Sequence, residues 1–245
     1  MIFLKLYLKI KKMIQYKALI SVIINKISMW LTKTMLFLQR RFKLTKVYQP
    51  DPFNDINYSI LRPSSDRFAL IDNYLPNSPL SSLDIGCNEG YFTFKMAERG
   101  GFCVGVDSAR NEIMIAKALS KIHSIHNAVF LNDSLRPKTL LGYAKFDVII
   151  FLSVFHHIVR HNGLDYGLDF MSSLASINTQ YLIFETGQPN EDGVGWTDDL
   201  AFMEPDVETW VKYMLTSVGY KKVTVIGQNK SVKSDVMRLL FLAEK

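Results

Sequence analysis

Residues 83–92 read Leu83-Asp84-Ile85-Gly86-Cys87-Asn88-Glu89-Gly90-Tyr91-Phe92. This run predicts a short buried strand that turns through two glycines into a helix. Gly86 and Gly90 have no Cβ, so the backbone of the turn can approach a ligand closely. The first N–H groups of the helix would then point at a nucleotide-like ligand. The alternative is a strand-to-helix connection that binds nothing.

Polar residues also follow the next two predicted strands. Asp107 ends the strand near residues 102–106, about 20 residues beyond the glycine turn, where a carboxylate can accept both hydroxyls of a ribose. The strand at 127–131 is followed by Asn132, Asp133 and Ser134, whose side chains can bond to an adenine amino group. Because ligands of open α/β sheets bind at the carboxyl ends of the strands, these residues predict one common site.

The order of these motifs resembles the class I S-adenosylmethionine-dependent methyltransferases. The matching pattern is D-x-G-x-x-x-G-x-F at 84–92, the strand-end Asp107, N-D-S at 132–134 and F-D-V-I-I-x-L-S at 146–153. Residues 152–159, with His161, Gly163 and Asp165, are similar to the methyltransferase domain of bacterial O-antigen chain-terminating methyltransferase–kinases, which methylate the end of a polysaccharide. The resemblance runs from about residue 48 to the end.

The resemblance implies S-adenosyl-L-methionine as the cofactor and assigns residues to it. Tyr48, Gln49 and Arg67 would touch its methionine end, and Asp107 would bind its ribose. The turn residues Asp84, Gly86 and Gly90 would lie against the cofactor backbone. The adenine would meet Asn132, Asp133 and Ser134, with Phe151 lining the pocket.

Two features depart from the family pattern. Asn88 stands where the turn usually has a central glycine, so that position must either avoid a positive φ angle or use the left-handed region that asparagine accepts. No kinase-like segment follows the methyltransferase-like part of the sequence, so an acceptor phosphate would come from elsewhere.

The implied fold is α/β and Rossmann-like, with a mostly parallel seven-stranded sheet and helices on both faces. The alternation of predicted strands and helices agrees with it. We predict a catalytic domain at 48–245 and a basic amphipathic helical extension at 1–47. Cys87 and Cys103 fall in predicted buried positions, which is typical of core thiols in a reducing, cytoplasmic compartment.

The extension explains the charge of the whole chain. Residues 1–47 hold eleven Lys or Arg and no Asp or Glu, whereas residues 48–245 have a net charge of −5. Apolar residues recur there at helical spacing with lysines on a neighbouring face, namely Phe3, Leu6, Ile10, Met13 and Ile14 beside Lys5, Lys9 and Lys12. The longest uncharged run, 18–25, is too short for a bilayer core, which takes about 20 residues.

Three interpretations of the extension stay open. It can lie on an anionic membrane surface, with Trp30, Phe37 and Phe42 as interfacial anchors. It can pack on the catalytic domain or form a dimer contact, with solvated lysines. It can also bind RNA, although its Ile, Leu and Met content exceeds what an RNA-tracking surface needs. No small-residue cleavage site indicates a signal peptide.

His156 and His157 follow the strand at 146–152 and are the predicted catalytic residues, with Glu185 after the next strand. An imidazole can act as a general base or, when protonated, bind an anion. We expect one of the two adjacent histidines to face substrate and the other to face the core. Glu185 either orients a histidine, contacts substrate or is a satisfied strand-end carboxylate. His157 and His161 could share a metal, but no third ligand clusters with them, so we predict none.

The predicted function is O-methylation of a glycan, sugar phosphate or related cell-envelope precursor. The alternatives are an RNA methyltransferase and a catalytically silent cofactor-binding subunit of a glycan-modifying complex. The segment 186–205, rich in Gly, Asn, Asp and Glu, is either a substrate lid or a mobile surface loop.

Overall fold

A seven-stranded sheet forms the centre of the protein in the computed structural model, which describes residues 2–41, 48–50, 52–53, 64–177, 179–232 and 234–245. Its strands are β1 (Ser82–Ile85), β2 (Cys103–Asp107), β3 (Ala128–Asn132), β4 (Val148–Leu152), β5 (Tyr181–Glu185), β6 (Lys222–Lys230) and β7 (Met237–Glu244). The strand order is β3-β2-β1-β4-β5-β7-β6. Strands β1 to β5 pair in parallel, and β7 pairs antiparallel with both β5 and β6.

Eight helices accompany the sheet in the described part of the chain. They are α1 (Ile2–Arg41), α2 (Ser65–Tyr74), α3 (Tyr91–Glu98), α4 (Arg110–Ile122), α5 (Pro137–Leu140), α6 (Phe155–Asn162), α7 (Leu164–Ala175) and α8 (Val207–Ser217). A 3₁₀ helix spans Asp198–Met203.

Each face of the sheet is covered by its own hydrophobic cluster. Alternate residues of the central strands point to opposite faces, so that Ile149 and Phe151 join one cluster and Val148 and Ile150 the other. The first cluster contains buried residues of α7 and α8, and the second contains those of α2, α3 and α4. This confirms the predicted mostly parallel sheet between two helical layers. The two consecutive strands that the sequence predicts near residues 221–226 and 237–243 form the closing antiparallel pair, β6 and β7.

Helix α6 is absent from the predicted element order. It begins directly after β4 and ends at Gly163, whose φ of 86° stops the helix before α7 begins. The sequence predicts a helix at 164–176, which corresponds to α7, but no helix between that segment and the strand before it, where α6 lies. The correction matters because α6 carries His156 and His157.

The segment 186–205 is not a mobile surface loop. Trp196, Leu200 and Met203 from this segment are buried in the first hydrophobic cluster, with exposed fractions of 9%, 0% and 0%. Its apolar residues therefore belong to the core. The rest of the segment is held by polar contacts, among them the ion pair of Glu191 with Arg238.

Helix α1 is one continuous helix of 40 residues. Its described apolar side chains are exposed over most of its length, from Ile10 at 44% to Trp30 at 65%. The side chains of Phe3, Lys5, Leu6, Lys9 and Phe37, the whole of Phe42 and the predicted boundary at residue 47 lie outside the described residues. Within the described chain, no helix combines the length and the apolar composition that crossing a bilayer requires.

Candidate active site

A cavity of about 830 Å³ opens at the carboxyl ends of β1, β2 and β4. One part, which we call the turn side, is lined by Gly86, Asn88, Asp107, Asp133 and Ser134. The other part, which we call the histidine side, is lined by His156, His157, His161, Tyr166 and Trp196. The volume is typical of cavities that enclose a cofactor-sized molecule.

Three residues of the turn after β1 have a positive φ angle, namely Gly86, Asn88 and Gly90. Gly86 has a φ of 75°, and a Cβ there would lie 2.3 Å from Cγ2 of Val154. Asn88 has a φ of 53° and therefore uses the left-handed region that asparagine accepts. This resolves how the turn accommodates a residue other than glycine at that position.

Asp107 is held rigidly by the backbone of two loops. Its Oδ2 accepts the N–H of Asn88 at 2.8 Å, and its Oδ1 accepts the N–H of Ala109 at 2.8 Å. A carboxylate oxygen has two lone pairs, so each oxygen retains one that can accept a ligand hydroxyl. The adjacent Asn88 Oδ1 is buried and has no hydrogen-bond partner among the described residues.

Asp84 lies beneath the turn and is 3% exposed. The hydroxyl of Thr93 donates to its Oδ2 at 2.7 Å. Burial raises the pKa of Asp84 from 3.8 to about 7, and the hydrogen bond from Thr93 opposes that rise. The carboxyl thus takes up a proton near neutral pH in the folded protein.

Gln49 and Arg67 reach the turn side from the segment before β1. Oε1 of Gln49 accepts the N–H of Tyr91 at the start of α3, at 3.3 Å. Arg67 is 2% exposed and its guanidinium lies 4.7 Å from the ring centre of Phe92. Both line the cavity together with Tyr48.

Three predicted cofactor residues do not line the cavity. Asn132 uses its amide to donate to the carbonyl oxygens of Asp107 and Ser108, at 3.0 and 2.9 Å, which braces the loop after β2. Gly90 caps α3, where a Cβ would lie 2.5 Å from Phe130. Phe151 is fully buried and stacks on Phe170, which does line the cavity. Strand alternation turns Phe151 into the core rather than towards the pocket.

The two adjacent histidines differ in environment. His156 is 1% exposed, and its Nδ1 accepts the N–H of Gly187 at 2.8 Å. Because an amide can only donate, the neutral ring of His156 carries its proton on Nε2. His157 is exposed on the cavity wall, with its ring centre 4.2 Å from that of His156.

Glu185 is fully buried and lies under the cavity rather than on its wall. Its Oε2 pairs with Nη1 of Arg67 at 3.2 Å and accepts from Asn229 at 3.3 Å. Its Oε1 accepts from the hydroxyl of Ser153 at 2.7 Å. Of the three predicted roles, this environment matches the satisfied strand-end carboxylate.

Sequence reasoning missed a second buried carboxylate and its arginine. Glu191 and Arg238 form a bidentate ion pair, with Nε–Oε1 and Nη2–Oε2 distances of 2.7 Å. Arg238 also lies 5.5 Å from the ring centre of Trp196. The two charges come from segments 47 residues apart, and neither belongs to a recognisable motif. No group of three or more His, Cys, Asp or Glu among the described residues is arranged to hold a metal ion.

Comparisons with known proteins agree with this geometry. Residues 76–164 match the model of a family described as "Methyltransferase domain". The O-antigen chain terminator bifunctional methyltransferase/kinase WbdD of Escherichia coli is 35% identical over 125 residues, which are 49% of this chain and 18% of the relative. A crystal structure of WbdD superposes with a TM-score of 0.71 at 26% identity, covering 85% of this chain and 46% of that one. The chain contains a class I S-adenosylmethionine-dependent methyltransferase domain.

A more distant curated relative and a solved structure with the same fold agree with this description. The ubiquinone biosynthesis O-methyltransferase of Pelagibacter ubique (strain HTCC1062) is 28% identical over 139 residues, covering 56% of this chain and 53% of the relative. Magnesium protoporphyrin IX methyltransferase from Synechocystis PCC 6803 shares the fold, with a TM-score of 0.53 at 18% identity over 74% of this chain and 80% of that one. The match with WbdD covers only 46% of the solved WbdD chain and 18% of the curated WbdD sequence.

Proposed function

We propose that the chain is an O-methyltransferase that acts on a glycan, a sugar phosphate or a related cell-envelope precursor. The observation that carries the proposal is the division of one cavity into a turn side rich in fixed hydrogen-bond acceptors and a histidine side. The similarity to WbdD, whose name describes an O-antigen chain terminator, supports the choice of acceptor.

The turn side fits a nucleoside cofactor chemically. Asp107 offers two oriented oxygens for ribose hydroxyls, and Asn88 Oδ1 is a buried acceptor with a vacant lone pair within the described chain. We propose that Asp133 and Ser134 bind the adenine, while Tyr48, Gln49 and Arg67 hold the methionine end of S-adenosyl-L-methionine. When bound, the cofactor supplies an electrophilic methyl group.

The residues on the histidine side would orient the acceptor and receive its proton. We assign the contact with the acceptor to His157, because it is exposed on the cavity wall. A sugar hydroxyl must lose a proton, for which an imidazole is a suitable base near neutral pH. A phosphate monoester is already anionic, so a protonated imidazole would neutralise its charge instead. His156, whose Nδ1 is occupied, would support His157 through ring contact.

Label partitioning tests the proposed acceptor class. The purified full chain is incubated with radiolabelled S-adenosylmethionine and a fractionated host extract, and the glycolipid, RNA, protein and small-molecule fractions are counted. We expect label in a glycan or lipid-linked fraction. Label in RNA would replace the proposal with an RNA methyltransferase. A lack of transfer, combined with normal binding of S-adenosylhomocysteine, would favour the silent cofactor-binding subunit.

We further propose that residues 1–47 form an extension that binds an anionic membrane surface and brings the domain to its cytoplasmic face. Helix α1 contains nine Lys or Arg and no Asp or Glu, so its charge complements anionic lipid. Its apolar side chains Met13, Ile20, Ile24, Ile27 and Leu31 recur at helical spacing and are about half exposed or more. Helix α1 contacts α4, but that contact does not bury these side chains.

Vesicle sedimentation tests the membrane proposal. The full chain should bind vesicles of phosphatidylglycerol and phosphatidylcholine but not phosphatidylcholine alone, and added salt should weaken binding. The triple variant Lys11→Glu, Lys12→Glu, Lys17→Glu should lose binding. A control triple variant with exposed lysines elsewhere, Lys138→Glu, Lys145→Glu, Lys221→Glu, should retain it. A concentration-dependent dimer that ignores both vesicle types would contradict the proposal and point to a contact between two copies.

A further inference from the structure

The segment after β5 is anchored by a buried ion pair. Glu191 is 0% exposed and Arg238 is 3% exposed. Besides the bidentate contact with Arg238, Glu191 accepts the N–H of Gln188 and the hydroxyl of Ser231, at 2.8 and 2.7 Å. The carboxylate therefore ties the segment after β5 to β7 and to the turn before it. Loss of Arg238 would leave the Glu191 carboxylate buried without an opposite charge, whereas loss of Glu191 would leave Arg238 with Glu185, whose Oε1 lies 3.8 Å from its Nη1.

Arg238 extends this anchor to the cavity wall. Its Nη1 donates to the hydroxyl of Ser153 at 3.3 Å, and its guanidinium packs on Trp196. Both Ser153 and Trp196 line the cavity. A pair that served stability alone would need no contact with cavity residues.

Trp196 and Gly187, both in the anchored segment, hold His156. The ring centres of Trp196 and His156 are 4.4 Å apart, and those of Trp196 and His157 are 5.3 Å apart. The N–H of Gly187 occupies Nδ1 of His156. A Cβ on Gly187 would lie 2.6 Å from Nε1 of Trp196, so the backbone and the indole are in close contact. Displacement of the segment would thus alter both the packing and the hydrogen bond of His156.

We propose that Glu191 and Arg238 are positioning residues for the acceptor. Their ion pair fixes the segment after β5, which sets the orientation and the tautomer of His156. His156 in turn sets the position of His157 through ring contact. Glu191 does not line the cavity, and Arg238 lines it with its charge paired to Glu191. The proposal rests on the proposed methyl transfer for its effect on rate, whereas its effect on His156 is independent of the acceptor.

The experiment uses the full chain labelled with ¹⁵N-histidine. Long-range ¹H–¹⁵N spectra distinguish the tautomers of the five histidines, which single His→Gln variants assign. We expect the Nε2–H tautomer of His156 in the wild type and loss of that signature in Glu191→Gln. Transfer of label to the acceptor fraction should fall about 10- to 100-fold, as expected for a misplaced group, while binding of S-adenosylhomocysteine stays within about twofold.

Matched variants separate positioning from general destabilisation. Glu208→Gln removes the exposed pair with Lys212 and should change neither readout. Glu191→Asp keeps the charge and should recover part of the His156 signature. If Glu191→Gln does not fold, the double variant Glu191→Gln, Arg238→Met removes both buried charges and should fold without the signature.

Two results overturn the inference. One is an unchanged His156 spectrum in a folded Glu191 variant. The other is a wild-type rate of label transfer in that variant. Failure of the proposed function looks different, because wild-type protein would then bind no S-adenosylhomocysteine or transfer no label while the His156 signature still responded to Glu191.

Discussion

The two sides of the cavity are built in different ways. On the turn side, backbone amides fix the key carboxylate, since Asp107 is held by the N–H groups of Asn88, 19 residues before it, and Ala109, two residues after it. On the histidine side, side chains far apart in sequence fix one another, since Arg238 reaches Ser153 across 85 residues. Local backbone geometry leaves a motif in the sequence, whereas a long-range side-chain network does not.

The strongest test of this comparison is Asp107→Ala. It removes both acceptors for the ribose hydroxyls, so affinity for S-adenosylhomocysteine should fall about 1,000-fold or beyond detection, given about 1.5–3 kcal/mol for each hydrogen bond to a charged group. Calorimetry measures the affinity. Asp107→Asn, which keeps one acceptor oxygen, should lose less. Unchanged affinity in the folded alanine variant would refute the ribose assignment.

The same contrast explains what the sequence predicted of the site. Asp107 and Gly86 stand at strand ends within a motif, and both line the cavity. Phe151 lies inside a continuous apolar strand, where the sequence does not reveal which face points to the cavity. Glu191 lies in an irregular segment, so its pairing with Arg238 becomes evident only when β7 is placed beside β5.

The fold follows the same rule. The parallel strands were predictable because each is a short apolar run between turn signals. Helix α6 was not, because its eight residues are too few for a helical period to be recognised in the sequence. The stretch at 186–205, predicted to be irregular, contains the 3₁₀ helix Asp198–Met203. This helix was not predicted, because its buried residues pack on core residues that are distant in sequence.

A second test concerns charge. The buried carboxylate of Glu191, behind the histidine side, is paired with Arg238, whereas burial dominates the environment of Asp84 on the turn side and raises its pKa to about 7. At Asp84 the folded state therefore binds more protons than the unfolded chain between about pH 4 and pH 7, so the contribution of Asp84 to the free energy of unfolding should fall as pH rises through this window.

Asp84→Asn should remove that dependence. Relative to the wild type, the variant should gain up to about 4 kcal/mol between pH 4 and pH 7, since one pKa unit corresponds to about 1.4 kcal/mol. Urea unfolding across this range measures the difference. If the free energy of unfolding varied with pH in the same way for the two proteins, Asp84 would not titrate in this range. Burial of its charged form would then not reduce the stability of the folded state.

A third test separates the adjacent histidines. His157→Ala should lower the rate of label transfer about 100-fold, the usual effect of losing a general acid or base, and leave affinity for S-adenosylhomocysteine unchanged. His156→Asn should cost less, because its Oδ1 can still accept the N–H of Gly187. If both variants lowered the rate of label transfer equally and only slightly, neither histidine would take part in the chemistry. The histidine side would then serve only to bind the acceptor.

The mildest test asks whether the turn side depends on backbone geometry as strictly as its motif suggests. Gly86→Ala imposes a Cβ at a φ of 75° and 2.3 Å from Val154, so we expect a loss of about 2 kcal/mol in unfolding free energy. Gly142→Ala is the control, because its Cβ would lie 3.5 Å from the nearest atom outside its chain neighbours. Adding Val154→Ala to Gly86→Ala relieves the clash and leaves the φ strain. A full recovery in that double variant would show that close packing against Val154, rather than the left-handed turn, accounts for the glycine.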